Sequence, residues 1–84
     1  MRHARPAALD ELEPFLEQIR AALPELKEKS RGVFYRGSKA FLHFHEDPAG
    51  MFADVRLDGI EFERFRATTA AEQRSLLRKI AQAR

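Results

Sequence analysis

The sequence predicts an α+β domain: a helix, an antiparallel meander of three or four strands and a closing helix, with both helices on one face of the sheet. Three observations carry this. Apolar residues recur at three- and four-residue spacing near both ends, at Leu9, Leu12, Leu16, Ile19 and Leu23 and again at Leu76, Leu77 and Ile80. The middle of the chain alternates with the period of a strand, over Val33–Arg36, Ala40–Glu46 and Met51–Leu57. Turn-forming pairs and quartets, Gly37-Ser38 and Asp47-Pro48-Ala49-Gly50, separate those runs. A chain of 84 residues supports one core, so residues 1–84 form a single domain.

For the first helix, Asp10 is the expected N-cap and Glu13 its capping-box partner. Pro14 would then cost a backbone bond at the fourth helical position, so a start at Pro14 is the alternative. Pro24 ends the helix, and Glu25–Gly32 reads as a polar connector. Gly37-Ser38 suits a two-residue type II′ hairpin turn, and Asp47–Gly50 a type I turn. Asp58-Gly59 marks a further turn, after which Ile60–Phe65 fits either a fourth strand or a short helical turn. Thr69 and Glu72 form a capping box at the start of the last helix. That helix buries Leu76, Leu77 and Ile80, with Gln73 at the edge of the stripe.

Strand register follows from side-chain alternation. Pairing Glu46 with Met51 and Arg36 with Lys39 places Val33, Tyr35, Leu42, Phe44, Met51, Ala53, Val55 and Leu57 on the core face. A slip of one residue would oppose Phe44 with Asp54 and Leu42 with Arg56. The same register assigns Phe34, Arg36, Lys39, Phe41, His43, His45, Phe52, Asp54 and Arg56 to the other face. Two short helices cannot cover both faces, so these nine residues are the expected interaction face.

Composition narrows the function. The chain is 44% hydrophobic and 33% charged, ordinary for a soluble domain, and no apolar run approaches the ~20 residues that span a bilayer. The opening MRHARPAALDELEPF turns acidic where a signal peptide needs an apolar stretch, so a cytoplasmic location is expected. With no cysteine there is no disulfide, thiolate zinc site or thiol nucleophile. A formal charge of +2 argues for no particular acidic partner. Gly32, Gly37, Gly50 and Gly59 read as punctuation rather than a phosphate loop, and neither Ser30 nor Ser38 has a His–carboxylate partner at useful spacing. The expectation is a non-enzymatic domain without cofactor, whose nine-residue face binds another protein chain, its own copy first.

Two alternatives use the same face. In a nucleic-acid module, Phe34, Phe41 and Phe52 would stack on bases while Arg36, Lys39 and Arg56 meet phosphates. Arg74, Arg78 and Lys79 of the last helix would add charge, whereas Glu46, Asp47 and Asp54 would oppose it. In a metal site, His43 and His45 share a strand face and Asp54 sits opposite His43, offering nitrogen and oxygen ligands. The plain alternative is a His43–Asp54 cross-strand pair with His45 against Phe52.

The stretch LPELKE…GVFYRGSKAFLHF, followed by ADVRL, resembles the front part of the YjbR/MmcQ-like bacterial proteins. The matching residues are Leu23, Pro24, Glu25, Glu28, Phe34, Gly37, Lys39 and Phe41. GSKAF is one residue longer than that family's GK-x-F hairpin, and its tryptophan-bearing region has no counterpart in a chain without Trp. The resemblance implies an α+β fold with a helix on an antiparallel sheet. DNA binding is suggested for that family by fold analogy, and no catalytic residue carries over.

Overall fold

The computed structural model describes residues 1–83. The order is β1 (Arg2–His3), α1 (Pro6–Ala22), β2 (Lys27–Ser30), β3 (Val33–Arg36), β4 (Lys39–Asp47), β5 (Gly50–Val55), β6 (Glu63–Arg66) and α2 (Ala70–Gln82). The strands form one antiparallel sheet in the order β2-β3-β4-β5-β6, with β1 also on β4. The α+β class is as expected, with more strands than the sequence pattern showed. β4 is long enough to take two partners along one edge. β3 pairs with Lys39–Leu42, and β1 pairs with His45 and Glu46 beyond it.

α1 starts earlier than Asp10 or Pro14. Pro6 occupies its first turn, where a missing N–H costs nothing. Pro14 lies inside the helix on its exposed side, and Asp10 accepts from Arg31 Nη1 at 2.7 Å instead of capping. Leu23 closes the helix by donating its N–H to Ile19 at 2.9 Å, and Pro24 prevents continuation. α2 has the expected capping box. Thr69 Oγ1 accepts from the Glu72 N–H at 3.1 Å, and Glu72 Oε1 accepts from the Thr69 N–H at 2.9 Å.

The β4–β5 register is the expected one, with Leu42 opposite Val55, His43 opposite Asp54, Phe44 opposite Ala53 and His45 opposite Phe52. Gly37 has φ of +64° in the β3–β4 turn, the conformation a type II′ turn requires at its first position. The β3–β4 pairing differs. Arg36 faces Lys39 and Tyr35 faces Ala40, but Phe34, not Val33, faces Leu42, which leaves Phe41 as an extra residue in β4. A β-bulge of this kind sets two residues against one and breaks the alternation. Phe41 and Leu42 are therefore both buried, at 3% and 0% exposure.

One inserted residue inverts the faces on its far side. Phe34 is a core residue, 1% exposed, whereas Val33 and Tyr35 are only half-buried. Arg36 turns to the helix side, where its Nη1 donates to the Ala83 carbonyl at 2.8 Å and its guanidinium covers the Phe41 ring at 4.2 Å. The placement of Phe34, Arg36, Lys39 and Phe41 on an open face is thus overturned by the bulge.

Two further elements correct the sequence pattern. Part of the polar connector, Lys27–Ser30, is an edge strand; short length and charge suit an exposed edge. Within the undecided Ile60–Phe65 segment, a strand begins at Glu63 and runs on to Arg66. α1 and α2 cover the inner face. Leu12, Phe15, Leu16, Ile19, Leu76 and Ile80 meet Phe34, Phe41, Leu42, Phe44, Ala53 and Val55 in one cluster. Gly32, at φ +79°, lets the loop pass beneath α1, because a Cβ there would lie 2.8 Å from a Leu9 methyl.

Candidate functional site: the outer face of the sheet

With both helices on the inner side, the outer face carries His43 and His45 of β4, Phe52 and Asp54 of β5, Arg56 beyond it, Arg64 and Arg66 of β6, and Tyr35 of β3. Five of the nine residues expected there remain: His43, His45, Phe52, Asp54 and Arg56. Tyr35, Arg64 and Arg66 are additions. The bulge concealed Tyr35, and β6 could not be placed from an ambiguous pattern.

The centre of the face is a histidine cluster. The chain has three histidines, and all three meet here. His43 and His45 come two apart on β4. His3 arrives on β1, which pairs it directly with His45. The anchoring is local and polar: Ala4 donates its N–H to the Phe44 carbonyl at 3.1 Å, and the Arg5 N–H donates to Glu46 Oε2 at 2.7 Å. The His3 ring stacks on His45 with centroids 4.6 Å apart, and the His43 and His45 rings meet edge-on at 5.0 Å.

Asp54 closes one side. Arg64 donates to both its oxygens, Nε to Oδ1 at 2.7 Å and Nη2 to Oδ2 at 2.8 Å. The contact from histidine comes from His45, whose Nε2 lies 3.1 Å from Asp54 Oδ2, rather than from the directly opposite His43. The same Nε2 lies 3.1 Å from His43 Nδ1. A single N–H at that atom serves one of these acceptors at a time. Burial pushes His43 and His45 below the ordinary histidine range and outweighs the opposing pull of Asp54. The Arg64 hydrogen bonds hold Asp54 below the ordinary carboxylate range. At neutral pH His43 and His45 are therefore neutral imidazoles beside a carboxylate already matched by arginine.

Around this centre, rings and cations alternate. Lys29 Nζ lies 4.3 Å from the Tyr35 ring, the Arg56 guanidinium 4.3 Å from Phe62 and that of Arg66 5.8 Å from Phe52. Phe62 also meets His43 at 4.8 Å. Arg56 is fixed by donating Nε to the Ala40 carbonyl at 3.0 Å and Nη1 to the Ile60 carbonyl at 3.1 Å. The β5–β6 loop beside it exposes Ile60 at 72% and Phe62 at 37%. Arg36 and Lys39 line a cavity of about 380 Å³ together with Phe41, Arg56 and Ala83, at the end of α2.

No known family, curated protein or solved structure matches this chain. Among the described residues no helix is long and apolar enough to cross a membrane.

Proposed function

We propose that this protein is a non-enzymatic binding module working through the outer face of its sheet, and that the partner taken there is a single-stranded nucleic acid. The observation that carries the reading is the set of three cation-covered rings, Tyr35, Phe62 and Phe52, on the face that neither helix covers. Stacking surfaces beside cations suit a flexible polyanion whose bases and phosphates alternate. Charge placement supports it. Lys27, Lys29 and Arg56 belong to this side, while Arg64 is committed to Asp54 and Arg66 to Glu72. Glu13, Glu28 and Asp10 are occupied by Arg20 and Arg31 on the helix side.

Self-association through this face has less support. Phe34 and Phe41, two of the three phenylalanines expected on this face, are in the core, which leaves little apolar area for a second copy to bury. Two copies face to face would also oppose like charges. The test is fluorescence anisotropy of a labelled single-stranded oligonucleotide with metal-free protein at low and high salt. Binding that weakens with salt is expected, and Arg56→Glu should reduce it roughly tenfold and flatten the salt slope. Absence of binding at low salt, or an unaltered Arg56→Glu, would overturn the reading.

A further inference from the structure

All three histidines of the chain converge although His3 lies 40 positions from His43 and 42 from His45. Three imidazoles packed against one another need an explanation, because the one carboxylate beside them, Asp54, contacts only His45. We propose that His3, His43 and His45 together hold one divalent transition-metal ion of the zinc type, with Asp54 outside the ligand set. This site is independent of the nucleic-acid reading.

The geometry suits the ion. One ring nitrogen of each histidine lies within 4.8 Å of the others. His43 Nδ1 and His45 Nε2 are 3.1 Å apart. Two imidazole nitrogens on a tetrahedral zinc, each bonded at ~2.0–2.1 Å, lie about 3.3 Å apart. This pair is already near its bound separation, so ion entry asks only that the exposed His3 ring close in. The chemistry suits it too, since imidazole is the donor zinc, copper and nickel prefer when thiolates are absent.

Asp54 falls outside the group of three whose ligand atoms lie within 4.8 Å of one another. Both of its oxygens accept from Arg64, which holds the carboxylate toward β6. Its Oδ2 lies 3.1 Å from His45 Nε2, the nitrogen that would bind the ion and would then carry no proton, so Asp54 acts through its charge, which favours a nearby dication. The His43–His45–Asp54 set that the sequence offered as an alternative therefore becomes a His3–His43–His45 set, with the carboxylate beside it. Phe62 against His43 shields one side of the cluster.

The ligand set makes a demand that a merely structural histidine cluster would not. His3 sits on an exposed two-residue strand, so its loss leaves the core intact. The experiment is calorimetric titration of zinc chloride into the full chain carrying no polyhistidine tag, first stripped with chelator. One ion per chain is expected. His3→Ala, His43→Ala and His45→Ala should each weaken binding by more than about tenfold, and Asp54→Asn by less than any of them. Cobalt substitution should give the intense visible bands of a four-coordinate site, and His3→Ala should remove them. No uptake by the wild-type chain would overturn the proposal. Wild-type affinity in His3→Ala would overturn the assigned ligands, and so would an Asp54→Asn loss equal to the histidine losses, which would return the carboxylate to the site. Each variant's far-ultraviolet dichroism separates lost ligation from lost folding. The oligonucleotide titration on metal-free protein is unaffected by any of these results, so failure of one reading is distinguishable from failure of the other.

Discussion

The two faces of one sheet are built on opposite principles. The inner face is closed by α1 and α2 over an apolar cluster in which Leu16, Ile19, Leu42, Val55 and Ile80 are fully buried. Its stability comes from area removed from water, which is non-directional and tolerant of exact geometry. The outer face is half-buried and polar. It is held by directional contacts: Arg64 on Asp54, His45 between His43 and Asp54, Arg56 on two carbonyls and the Phe62 ring. Such contacts contribute little net energy each but fix side chains in place. A small domain can thus keep its fold on one side and hold groups ready for a ligand on the other.

The sharpest way to break this contrast uses two neighbours on β3. Phe34→Ala empties a core position and should cost about 3–5 kcal/mol in urea unfolding. Tyr35→Ala, one residue on, removes a half-buried outer ring and should cost about 1 kcal/mol. A reversed order would return Tyr35 to the core and remove the bulge.

The pH dependence sharpens the comparison next. His43 and His45 titrate lower in the folded chain than in the unfolded chain. The unfolded state therefore binds more protons as pH falls below the ordinary histidine value of about 6.5. The stability due to their neutral burial is complete above that value and lost as pH falls through the folded values. Asp54 adds a second loss at lower pH, since its folded value is depressed below the ordinary carboxylate value. Unfolding free energy measured across mildly acidic pH should decline, and His43→Gln should make that decline shallower. An identical slope would locate the acid sensitivity elsewhere. The smallest effect belongs to the β5–β6 loop. Ile60→Ser should leave stability within about 0.5 kcal/mol, because the residue is 72% exposed. A larger cost would mean that the loop is covered in solution.

About half of the outer face was legible from sequence. His43 and His45 share a face by simple alternation, and Asp54 and Phe52 follow once β4 and β5 are in register. The wrong half lies beyond Phe41, where one extra residue inverts the faces. His3 was invisible as a site residue because a two-residue strand carries no periodicity.

What the amino-acid sequence determined by itself is local. The apolar stripes of both helices, the Thr69–Glu72 box, the Gly37-Ser38 turn and the β4–β5 register all depend on residues a few positions apart or on one tight hairpin. There, spacing and capping specify the outcome. Tertiary structure decided the rest: the start of α1 at Pro6, the bulge at Phe41, the polar edge strand Lys27–Ser30 and the docking of β1 beside β4. Each depends on what the rest of the fold offers. A backbone edge is left open where β3 ends, and room for one more buried ring is filled by Phe41. Long-range pairing meets those demands, and no local pattern encodes them.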